Sequence, residues 1–209
     1  MNSKEIVPYS ETHINVIYNL LFCDDLNLLK QQMKEPYIYP YDILFGENSS
    51  VAELQRILDE ANFESRIKML AYTRQLMNGC KPKKKELLAV IVEVGLDKGL
   101  DVLASFADGT ARYINYTGKM IVWENTDDQK ANDIKKQLFD NSIGIVNQIG
   151  PWEEPRKPNP KKGNVRISFI VSGELYFGEG PMKVMFSDPV AGPVLANATE
   201  LMQYLIQNS

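Results

Sequence analysis

The stretch at residues 107–125, ADGTARYINYTGKMIVWEN, decides the fold. Two turn signals, Asp108-Gly109 and Thr117-Gly118, cut it into short runs of β-branched and aromatic residues. Asp-Gly between such runs is a strong hairpin signal, because both positions tolerate the positive φ that tight turns need. Upstream, Leu87 to Val94 is apolar and β-branched, Leu100 to Phe106 alternates, and Asp97-Lys98-Gly99 separates them. A period of two sustained through four such runs predicts four strands in antiparallel order.

Turn length fixes which residues face each other. A three-residue loop at Asp97-Lys98-Gly99 sets Val94 opposite Val102 and keeps that row apolar, whereas a two-residue loop brings Glu93 into it. Two-residue turns at Asp108-Gly109 and Thr117-Gly118 set Ala104 opposite Tyr113 and Tyr113 opposite Val122. In this register one face holds Val90, Val92, Val94, Val102, Ala104, Phe106, Ala111, Tyr113, Met120 and Val122, a core row. The other has an aliphatic middle (Ile91, Leu103, Ile114, Ile121) flanked by Glu93, Asp101, Arg112, Tyr116, Lys119 and Trp123. Arg112 then lies across from Trp123, where cation–π stacking contributes about 0.5–2 kcal/mol. Such a face either packs under a helix or serves as a binding surface, with Arg112, Tyr116 and Trp123 as anchors and Lys119 and Glu93 beside them.

Working outward, the first 80 residues read as helical. Ile14, Ile17, Tyr18, Leu21 and Phe22 form a stripe at helical spacing, interrupted by Asp24-Asp25. Ser50 and Glu53 have the spacing of a capping box ahead of Leu54, Ile57 and Leu58. A further helix runs from about Phe63 to Met77 and ends at Asn78-Gly79. Beyond the four strands, Asp127 to Leu138 is a polar helix, and Ser142 to Ile149 is either its end or a strand. Gly150-Pro151 opens a connector with four prolines by Pro160, read as a loop. Val165–Val171 and Glu174–Phe177 flank a Ser172-Gly173 turn, Met182–Phe186 reads as a further strand, and a helix from Pro193 closes the chain. The class is therefore α+β, with an N-terminal helical segment (1–80) followed by a mainly antiparallel domain (81–209). That domain runs four-strand meander, helix, hairpin, C-terminal helix, and the two parts either share one core or stand apart.

Of the 209 residues, 44% are hydrophobic and 24% charged, a composition that argues against disorder. A net charge of −4 argues against nucleic acid as partner. No apolar run approaches the roughly 20 residues of a membrane-spanning helix. The start, Met1 to Pro8, lacks the apolar core of an export signal, so the expected location is cytoplasmic.

Catalytic chemistry finds little footing. His13 is the one histidine, ten residues from Cys23, or about 15 Å along a continuous helix. Cys23 and Cys80 make neither a disulfide framework nor a zinc site. The pairs Asp24-Asp25, Asp127-Asp128 and Glu153-Glu154 diverge by about 100° on a helix and suit capping. Thr117-Gly118-Lys119-Met120 lacks the hydroxyl and the earlier glycine of a phosphate loop. No catalytic residue, cofactor or metal is expected. The order sheet, helix, hairpin, helix is similar to that of small acidic chaperone-like binding modules of bacteria, a likeness of arrangement alone. The function expected first is a non-enzymatic module that binds a protein partner or itself, without membrane or nucleic acid. The alternatives are a carboxylate-based enzyme with a pocket between helices and sheet, and a small-molecule sensor.

Overall fold

The longest strand, β1 (Leu87–Leu96), runs through the middle of a six-stranded antiparallel sheet of order β4-β3-β2-β1-β5-β6. The computed structural model describes residues 6–209, so the first part of the Met1 to Pro8 reading lies outside the described residues. The other strands are β2 (Gly99–Phe106), β3 (Ala111–Ile114), β4 (Met120–Trp123), β5 (Asn164–Val171) and β6 (Glu174–Pro181). Ahead of the sheet come α1 (Thr12–Leu20), α2 (Leu26–Gln31), α3 (Tyr41–Leu44), α4 (Val51–Asp59) and α5 (Ser65–Met77). α6 (Gln129–Val146) follows β4, and α7 (Met182–Ser187) and α8 (Ala191–Asn208) close the chain. No helix among the described residues is long and apolar enough to cross a membrane.

Helix starts follow local chemistry. Asp25 Oδ1 accepts the Leu28 N–H (2.9 Å) and Asp128 Oδ1 accepts the Ala131 N–H (2.9 Å). At α4 the Ser50 and Glu53 side chains each accept the other's backbone N–H, completing the capping box. α5 is capped from a distance: the Ser65 N–H donates to Asp108 Oδ2 at 2.7 Å, and the Asp108 N–H returns to Ser65 Oγ at 2.9 Å.

Both sheet faces are covered. Ile91, Val102, Ala104, Phe106 and Ile114 cluster with Tyr18, Phe22, Leu54 and Met69 from the N-terminal helices. Val90, Val92, Leu103, Tyr113, Trp123 and Phe169 cluster with Ile134 and Leu138 of α6 and Leu195, Leu201 and Leu205 of α8. Burying each large aliphatic side chain contributes about 1.5–3 kcal/mol. The change near residue 80 separates helices from strands, but the helices share a core with one face of the sheet.

The hairpin registers differ from expectation, with the loop lengths exchanged. Asp97-Lys98 is a two-residue turn, pairing Leu96 with Gly99 and Glu93 with Val102. The next two loops hold three residues: Phe106 N–H donates to Thr110 O and Asn115 N–H to Lys119 O. Gly109 and Gly118, at φ +88° and +84°, take the left-handed third position of those loops. Gly99 instead opens β2, where a Cβ would come within 2.6 Å of Tyr116 O. Ser105 therefore pairs with Ala111 and Tyr113 with Ile121, and Val122, not Trp123, lies opposite Arg112. A one-residue slip exchanges faces. Val102, Ala104 and Phe106 thus leave the expected row for the face under the N-terminal helices.

One further expectation is corrected, and the connector gains detail. Met182–Ser187 is a helix, because Pro181 ends β6 and Gly180, its hypothetical Cβ 3.3 Å from Met185, lets α7 fold back. The proline-rich connector is fastened: Trp152 N–H donates to Leu175 O (2.7 Å), and Arg166 holds the carbonyls of Lys157 and Pro158. Ser142–Val146 resolves as the end of α6.

Candidate functional site

The residues expected to form one binding face are dispersed by the true register. Arg112 is buried on the side of the N-terminal helices, where Nη1 donates to Ala111 O (2.8 Å) and Nη2 pairs with Glu124 Oε1 (2.7 Å). Burial draws its pKa below the usual arginine range. Trp123 points the other way, its Nε1–H donating to Asn125 O (3.0 Å) and its ring edge-on to Tyr204. The cation near that ring is Lys135, not Arg112. Tyr116 and Lys119 remain together and exposed in and after the β3–β4 loop, where Asp101 Oδ1 accepts the Tyr116 N–H at 2.7 Å.

Glu93 belongs to another group and is wholly buried. Its Oε1 accepts the Tyr18 hydroxyl at 2.6 Å, and its Oε2 lies 3.6 Å from Arg166 Nη1. Arg166 also grips Glu179 Oε2 through Nε (2.9 Å) and Nη2 (2.7 Å). Nearby, Arg156 pairs with Asp24 at 3.0 Å and lies 3.9 Å over the Phe22 ring. Burial pushes the Glu93 carboxyl up, against the pull of Arg166 and the Tyr18 hydrogen bond. Glu93 and Glu179 thus converge on one guanidinium, and the cluster joins α1, β1, β5, β6 and the connector. Among the described residues no group of three or more His, Cys, Asp or Glu is placed to hold a metal ion.

The surface that remains open lies at the β4 end of the sheet. Because Asn115 bonds to Lys119, alternation along an antiparallel pair makes Tyr113–Ile121 and Ala111–Trp123 the bonded partners. The backbone groups of Met120 and Val122 consequently point away from β3. Their side chains, expected in the core row, are instead 37% and 50% exposed, because among the described residues no strand or helix covers that end of the face. The opposite edge is treated differently, since Trp152 bonds to β6 and α7 packs on it. Natural sheets blunt their edges in this way, and β4 is the edge left unblunted. Sequence reasoning placed Tyr116 and Lys119 near this site but missed Met120 and Val122. Nothing local distinguishes an edge strand from an interior one once the alternation is apolar.

No protein-family model and no curated protein matches the chain.

Proposed function

We propose that the chain is a protein-binding module that adds a strand at the β4 edge, and that the strand it accepts is β4 of a second copy. The observation that carries this reading is the coincidence, at Met120 and Val122, of outward backbone groups with exposed apolar side chains. Antiparallel pairing about Ile121 sets Met120 of one copy opposite Val122 of the other, twice by symmetry. It also brings the Lys119 end of each strand to the Glu124 end of its partner. Main-chain bonds supply the affinity in such strand addition, and the alternate side chains supply selectivity. A four-residue edge falls short of a standard interface, so association is weak and depends on concentration.

Sedimentation velocity over a concentration series tests the reading. Wild-type chain shifts toward a dimer as concentration rises. Val122→Glu, whose carboxylate faces Arg112 within the monomer, stays monomeric with an unchanged melting temperature. A wild-type chain that is monomeric throughout the series, or a Val122→Glu variant that dimerises equally well, overturns it.

A further inference from the structure

Lys135 of α6 is only 4% exposed, yet its ammonium donates to a single acceptor among the described residues, the carbonyl of Gly109. An ammonium carries three protons, and buried ones are normally paired with carboxylates. The carboxylates in the neighbourhood are already committed. Asp108 accepts from Ser65 N–H and from both Thr110 N–H and Oγ–H. Asp128 accepts from Ala131 N–H and the Tyr204 hydroxyl. Burial draws the Lys135 pKa down, with Asp128 and Asp108 pulling it back.

This under-partnered amine lines a cleft of about 410 Å³ between α6 and the β2–β3 turn. Asp108, Thr126, Asn132 and Lys136 add polar groups to the cleft, and Phe139 adds an apolar wall. Volumes of about 300–1,000 Å³ are typical of small-ligand sites. We propose that this cleft binds a small organic anion, a carboxylate or phosphate group on an aromatic or branched apolar body, with Lys135 as its charge contact. The anion takes up the unused ammonium protons, Lys136 stands beside it already paired with Asp140, and the apolar body lies against Phe139. The site faces α6 and is independent of the β4 edge.

The test uses the intact chain with phenylacetate, phenyl phosphate and the neutral 2-phenylethanol as probes. Binding is read by calorimetry, and lysine acetylation is mapped by mass spectrometry with and without each probe. At ten times its Kd, a bound anion slows acetylation of Lys135 about tenfold by simple occupancy. The exposed Lys183 is unaffected. Loss of a charge-assisted contact in Lys135→Met weakens binding about tenfold or more, and Lys135→Arg retains it. Binding of either anion supports the proposal and identifies the preferred head group. The proposal is overturned if calorimetry shows neither anion binding at about 10 mM, a concentration that detects even millimolar affinity. It is equally overturned if 2-phenylethanol protects as well as the anions do. The protection measurement on wild-type chain stands even if Lys135→Met proves unstable.

Discussion

Tyr18 and Glu93 meet across the boundary between helices and sheet, the phenol donating to the carboxylate at 2.6 Å with both residues fully buried. Removing the acceptor leaves the Tyr18 hydroxyl unpartnered and Arg166 with Glu179 as its one carboxylate. Glu93→Ala is expected to cost about 3 kcal/mol, near the lower figure for breaking a buried pair, as measured by urea denaturation.

The pH dependence of that group has a definite sign. Burial holds the folded Glu93 carboxyl above its unfolded pKa, so the folded chain binds this proton more readily. Its stabilising contribution is complete below the usual carboxylate range and is lost as pH rises through the raised folded value. Glu93→Gln lacks that loss. The stability of the variant relative to wild type should therefore increase between pH 5 and pH 8, and a flat difference would contradict the assignment.

Gly95 is the contact point of the connector. A methyl there overlaps the carbonyl oxygens of Pro160 and Lys161, beside the bond from Gly163 N–H to Gly95 O. Gly95→Ala should dislodge the connector at a cost of about 1–3 kcal/mol. Limited trypsin digestion should then cut at Lys161 and Lys162 well before it does in wild type.

Gly173 closes the β5–β6 turn at φ +80°, and its hypothetical Cβ lies 2.8 Å from Tyr72 Cβ. Gly173→Ala combines left-handed strain of about 1–2 kcal/mol with a forced shift of α5. Gly150→Ala, which meets nothing within 4 Å, should stay within about 0.5 kcal/mol of wild type in the same melting experiment.

The two thiols should separate cleanly. Cys23 is buried and its pKa is pushed up to about 12 by desolvation, while Cys80 is half-buried. Titration with a thiol-reactive disulfide at pH 8 should consume one thiol rapidly in folded chain and the second only after denaturant is added.

The order of the elements was legible in the sequence because it rests on local signals. The four-strand run, the capping box at Ser50 and Glu53, the break at Asp24-Asp25 and the closing helix all appear where periodicity and caps put them. Register was not legible. The two-residue turn at Asp97-Lys98 sets a carboxylate among valines, which local patterning disfavours, and the residue that makes this tolerable is Arg166. That guanidinium becomes a cross-strand neighbour of Glu93 only when β5 pairs with β1, a contact with no local signature. With the register displaced, Arg112 and Trp123 appeared to share a face, and Met120 and Val122 appeared to be core. The candidate edge site became visible only with the strand order, which places β4 at the end.

The Glu93–Arg166 contact also bears on how the chain matures. As it leaves the ribosome, everything needed for α1 and for β1 through β4 is present long before residue 166. Until then Glu93 lies beside Tyr18 with no opposite charge, a state that costs several kcal/mol if the carboxylate is enclosed. Before then the enclosed carboxyl is best kept protonated, and β5, carrying Arg166 at its third position, is the strand that brings Glu93 its opposite charge and follows the connector that lies over Phe22 and Phe177.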